Sequence, residues 1–209
     1  MEANENIKEI LTIILAAIIL ALTVAFSDRT LFNTAAISFL IILTINVLTK
    51  KSVGYYLETK VRTKFWSVYQ YWFRTDMHFK KPLPMLWLPL IITLFTRGFF
   101  LWLGVLQFDV EAKTERVSRR HGLYRFTEVT EWHMAWIVVW ALVANLIAAI
   151  IGYIAGFELF TKLSIYFIAW SVIPLSSLDG SKIFFSSRAL WVVVFTIAII
   201  ILAWALIII

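Results

Sequence analysis

LSIYFIAWSVIPLSSLDGSKIFFSSRALWVVVFTIAIIILAWALIII, residues Leu163 to Ile209, sets a short polar interruption, Pro174-Leu-Ser-Ser-Leu-Asp-Gly-Ser-Lys182, between two long apolar runs. The runs have the character of membrane spans, and the interruption carries Asp179. A carboxylate at the edge of hydrocarbon is costly, so by default it is a functional position or one half of an ion pair.

The rest of the chain agrees with a membrane solvent. Of 209 residues, 61% are hydrophobic and 15% charged, and the mean hydropathy is +0.85; a water-soluble domain does not have this balance. Ten Trp, seven Tyr and seventeen Phe suit a protein with two water–lipid boundaries, where amphipathic rings settle at headgroup level. With no Cys, disulfides, thiolate metal sites and cysteine nucleophiles are excluded. The net charge of +6 is what basic loops beside anionic headgroups produce. The expected partners are therefore the bilayer and other integral membrane proteins, not nucleic acid, and no cofactor is expected.

Six hydrophobic stretches of spanning or near-spanning length, 10–26, 31–48, 84–108, 133–155, 163–178 and 189–209, predict an all-α integral membrane protein folded as one polytopic domain. The first has an acidic flank with three Glu and one Lys, wrong for the basic start of a secretory signal, and reads as a retained helix. The second continues as a helix through Lys50, Lys51 and Gly54 into Tyr55 and Tyr56. The third carries Arg97 near its middle. The fifth is too short to cross about 30 Å of hydrocarbon unless Ser176 to Ser187 completes it as irregular or re-entrant backbone buried in protein. Counted by side for six spans, ten Lys and Arg accompany the termini and eight lie opposite, which favours cytoplasmic termini in the cell membrane.

Two hydrophilic stretches divide these spans. Residues 49–81 hold eight Lys or Arg among aromatic residues, the composition of a segment lying in the interface. Trp66, Tyr69, Tyr71, Trp72, Lys80 and Lys81 are its candidate lipid contacts, and the aromatic-basic part from Phe65 to Lys81 suits either a partner protein or specific lipid, or simple interfacial anchoring. Residues 109–132 read as a compact loop, with strand character at Val105 to Val110 and a small β-hairpin expected within 105–132.

The stretch Ile165 to Leu190, with Trp170, Pro174, Leu178, Asp179, Gly180, Ser181, Lys182 and Ile183 ahead of Trp191, resembles the Leu-Asp-Gly segment of the site-2 protease family of intramembrane zinc metalloproteases, particularly its compact archaeal members. Upstream, Ala141, Leu142, Ala144, Asn145 and Leu146 fall where that family has a small-residue helix with an Asn, and Val105 to Val110 falls where it has a short extended insert. The specific core of the match is Leu-Asp-Gly-Ser-Lys. The resemblance implies a zinc-ligand position at Asp179, with the other two ligands on a His-Glu-x-x-His helix. Two His at i and i+4 share a helix face and present both imidazoles to one metal, while the Glu acts as general base on the zinc-bound water. The equivalent region here, near Val47 to Lys60, contains no histidine.

The three histidines, His78, His121 and His133, include no i, i+4 pair. A lone carboxylate does not hold zinc against water, so the resemblance implies a vestigial site in a pseudoprotease, with Lys50 or Lys51 able to neutralise Asp179 in place of metal. Arg97 is a second candidate mate for Asp179; pairing with another acid such as Asp109, or a water-filled or protein-covered face, is the alternative. Glu128, Glu131 and His133 read as a helix start capped by Thr130 before they read as a metal site. Ser176, Ser177 and Ser181 have no placed base and are expected to satisfy backbone groups. The expected function is that of a structural or interaction subunit of a larger membrane complex. The alternatives are a chaperone or assembly factor for transmembrane segments and a residual zinc protease with non-standard ligands.

Overall fold

A computed structural model describes residues 2–26, 28–70, 78–113 and 129–208. Most of them are helical, and four helices, Glu5–Ala25, Arg29–Tyr56, Glu131–Ile154 and Arg188–Ile207, are long and apolar enough to cross a membrane. In chain order the elements are α1 (Glu2–Ala25), α2 (Phe32–Tyr56), β1 (Thr59–Phe65), β2 (Ser67–Gln70), β3 (His78–Pro84), α3 (Leu88–Phe95), β4 (Leu106–Ala112), α4 (Glu131–Ile154), α5 (Glu158–Val172), α6 (Asp179–Ser186) and α7 (Arg188–Ile208).

Helices α1 and α2 form a hairpin whose turn is fixed by Asp28. Its carboxylate accepts hydrogen bonds from the Thr30 amide at 2.9 Å and the Thr30 hydroxyl at 2.7 Å, and these bonds hold the carboxyl below its ordinary pKa. Ala16, Ala17, Ala21 and Ala35 are buried along the contact, since small side chains allow transmembrane helices to approach closely. Phe39, Ile42 and Leu43 of α2 extend this core toward Leu103 and Val105. A second core joins Phe108 of β4 to Ile137 and Val138 of α4, Val172 of α5 and Ile183 of α6. As the sequence predicts, α2 runs on through Lys50, Lys51 and Gly54 to Tyr56.

The acidic flank of α1 has a structural use. Glu9 accepts from the Thr63 amide at 3.0 Å and from Lys51 at 2.5 Å, and Glu5 meets Arg62 at 3.3 Å. These contacts tie the start of α1 to β1 and to the end of α2.

Four sequence expectations are corrected. Residues 84–108 do not form one span: α3 is eight residues long, and the chain then turns through Arg97 at φ 53° and Gly98 at φ 82°. The Gly98 amide reaches back to the Thr93 carbonyl at 2.8 Å, so left-handed backbone closes the helix. Glycine adopts this conformation freely, whereas for Arg97 it costs about 1–2 kcal/mol. The strand expected at 105–110 is present as β4, yet its partner is β1, antiparallel, with Thr59 opposite Ala112 and Phe65 opposite Leu106. A hairpin inside 105–132 is not formed by the described part of that loop; residues 114–128 lie outside the described residues. Thr130 takes the N-cap position of α4, but its hydroxyl contacts His133 Nδ1 and caps no backbone amide. The stretch 49–81 is likewise not a single surface segment, because it supplies β1, β2 and the start of β3.

Because the chain has no native cysteine, the β1–β4 register can be read without background. Lys60→Cys with Glu111→Cys, which are directly opposed, should cross-link on mild oxidation. Lys60→Cys with Val110→Cys, shifted by one residue to the other face, should not.

Candidate functional site

Helix α5 is fifteen residues long and ends below the interruption that carries Asp179. Beyond it the chain passes through Pro174 and a left-handed Ser176, φ 47°, before α6 begins at Asp179. The Ser177 hydroxyl donates to Gln107 Oε1 at 2.5 Å, the Ser181 hydroxyl donates to the Leu178 carbonyl at 2.6 Å, and the Trp191 indole donates to the Val172 carbonyl at 2.9 Å. The turn is thus tied to β4, to itself and to α7. Gly180 is required by close approach: a Cβ there would lie 2.3 Å from the Val172 carbonyl oxygen and 2.4 Å from that of Ile173. Backbone oxygens at the end of α5 have no side-chain freedom with which to yield.

Asp179 stands in the first turn of α6, where the helix dipole favours a negative charge. Its Oδ2 accepts from Lys50 Nζ of α2 at 2.6 Å, and the two side chains are 7% and 5% exposed. Lys50 also stands 4.7 Å from the centre of the Phe108 ring. Lys182, one turn beyond Asp179, donates to the Phe108 carbonyl and lies 3.3 Å from the same ring centre. Phe108 of β4 is therefore the shared neighbour of two ammonium groups, a favourable cation–π arrangement in a desolvated place.

A cavity of about 20 Å³, room for about one water molecule, adjoins the pair; Asn46, Lys50, Gly104, Ser171 and Asp179 are among its walls. Asp179 Oδ1 and Asn46 Nδ2 are buried without a hydrogen-bond partner, as are both polar atoms of the Asn145 side chain on α4.

The expectation that Arg97 pairs with Asp179 is corrected. The acid is held by Lys50, one of the two lysines the sequence offered for neutralising it, while Arg97 is exposed in the turn after α3. Lys51 turns the other way, to Glu9. Asn46 lies one residue ahead of the Val47 to Lys60 stretch in which the resemblance puts the ligand helix, outside the residues the sequence singles out. Its signal was a polar residue four positions ahead of Lys50 inside an apolar helix, spacing that puts both on one face. Trp66, read as a lipid contact, is 4% exposed and stacks on Trp102 at 5.8 Å, because the backbone on either side of the Trp66 peptide is bonded to Val105 and Met85. Tyr69 belongs to β2 and Lys80 to β3, Lys81 is exposed, and Tyr71 and Trp72 lie outside the described residues, as do His121 and Glu128.

The donor set does not suit a zinc ion. Zinc sites use imidazole, thiolate and carboxylate donors in tetrahedral array, and among the described residues no three His, Cys, Asp or Glu side chains converge. The cationic partner of Asp179 is an ammonium. Comparison with protein-family models, curated proteins and solved structures gives no match.

Removing one member of a buried pair strands the other. Lys50→Met should lower stability by about 3–5 kcal/mol, seen as a fall in the unfolding midpoint in detergent. Combining it with Asp179→Leu should restore most of that loss, since an apolar pair of similar volume leaves no stranded charge.

Proposed function

We propose that the chain is a catalytically inactive, site-2 protease-like protein of the cell membrane, crossing it several times and serving as a structural subunit of a larger membrane complex. The observation that carries this reading is the Lys50–Asp179 pair at 2.6 Å. On this reading Asp179 is the surviving ligand position, and Asn46 and Lys50, four residues apart on α2, take the positions of the two histidines. Val47 then falls where the general base would be. An ammonium substitutes for the metal's charge and leaves no Lewis acid and no activated hydroxide.

The subunit role is supported by α7. Only 11% of its apolar stretch is fully buried within the chain, so much of its surface faces lipid or partner helices. Helix α5, about 22 Å long by its rise, falls short of the roughly 30 Å core; the backbone at 173–178 completes that crossing in this reading. A chaperone for transmembrane segments is the second reading, but it needs an accessible polar groove at Asp179, and the small cavity and low exposure of the pair favour a filled site.

Two measurements test the proposal. Asn46→His, Val47→Glu and Lys50→His together should rebuild a His-Glu-x-x-His helix facing Asp179 and bind about one zinc per chain by elemental analysis, with the parent chain far below that. A triple variant that folds yet takes up no zinc would refute the ancestry. Purification from native membranes should yield a companion polypeptide at constant ratio; a varying population of clients would instead support the chaperone reading.

A further inference from the structure

The turn after α3 is dressed in a way that packing does not explain. Leu94, Phe95, Phe99 and Phe100 are all exposed, Phe95 at 83% and Phe99 at 94%. Between them Arg97 is exposed in a left-handed conformation, and among the described residues it makes no ion pair. A guanidinium set among apolar side chains in a membrane protein calls for an anionic partner.

Directly beside it, Gly98 and Leu101 form one wall of an apolar groove of about 720 Å³, with Trp170 of α5 and Trp191, Ile199 and Leu206 of α7 among the residues of the other walls. From Trp191 to Leu206 the α7 wall extends about 22 Å, longer than the roughly 15 Å of hydrocarbon in one leaflet. A long groove with this apolar lining suits an acyl chain, and the cation at its edge suits an anionic headgroup.

We propose that Arg97 and this groove form a binding site for one anionic phospholipid, its acyl chain lying against α5 and α7 and its phosphate on the guanidinium. The planar fork of arginine donors matches phosphate oxygens in pairs, and the exposed rings of Phe95 and Phe99 on either side of Arg97 in the chain offer apolar contact to the same lipid. The site is separate from the Lys50–Asp179 pair and does not depend on the proposed ancestry.

The test is native mass spectrometry of the full chain in mild detergent, with phosphatidylglycerol and phosphatidylcholine of the same acyl chains supplied in equal amounts. Retention of one phosphatidylglycerol per chain, about tenfold over phosphatidylcholine, is expected. Arg97→Asn, which left-handed backbone tolerates, should abolish the preference, and Arg97→Lys should keep part of it. Ile199→Trp, placed in the groove on a lipid-facing position, should reduce retention of both lipids while the circular dichroism stays that of the parent. Equal retention of the two lipids, indifference to Arg97→Asn, or displacement of the lipid by inorganic phosphate would overturn the site. So would a copurifying polypeptide whose removal, and not Ile199→Trp, controls lipid retention.

Discussion

A lysine and a carboxylate taken out of water together hold the two halves of this chain in register. Lys50 and Asp179 are 129 residues apart in sequence, and each is too costly to bury alone. Any arrangement of α2 against α6 that separates them leaves an uncompensated charge in a low-dielectric interior. Such pairs add little net stability relative to apolar residues of the same size, but they penalise alternative packings heavily. The close approach of Gly180 to the carbonyls of Val172 and Ile173 serves the same constraint, because it seats α6 where its acid meets α2.

The β1–β4 ribbon connects this interior to the N-terminus. Its inner residue Phe108 receives both Lys50 and Lys182, and Gln107 accepts from Ser177 in the turn before α6. On β1, Thr63 and Arg62 meet Glu9 and Glu5 of α1. Strands placed between membrane helices must satisfy their backbone groups within the protein; the antiparallel pairing does so for the groups that face the partner strand, and on the open edge the Thr63 amide is met by Glu9. The ribbon thus carries the site's aromatic floor on one strand and the anchor for the first helix on the other.

The outward surfaces tell a different story from the interior. Helix α7 packs on α5 by a narrow seam, with Ala198 and Ala205 buried, and turns its remaining apolar faces outward. A subunit that meets partners through α7 and holds an anionic lipid beside Arg97 would use the two sides of one helix for different purposes. A tightly held lipid would also fill the groove between α5 and α7, which the protein's own side chains leave open.

The membrane class, the first apolar helix, the long second helix and the strand near residue 106 were legible in the sequence, because hydrophobic runs and local patterns report local structure. So was Asp179 as the costly residue, and Lys50 as a group able to neutralise it. The third span was not: apolarity cannot distinguish a helix that crosses from one that stops at a left-handed turn, and Arg97 followed by Gly98 ended α3 after eight residues. The inward position of Trp66 was also hidden, since an indole suits a headgroup layer and a protein interior equally well. The sequence by itself determined the solvent and the charges that solvent would not tolerate. Which of those charges met, Lys50 with Asp179 and not Arg97, was decided by tertiary structure alone, because pairing over a hundred residues depends on helix rotation and depth, and neither is written in local pattern.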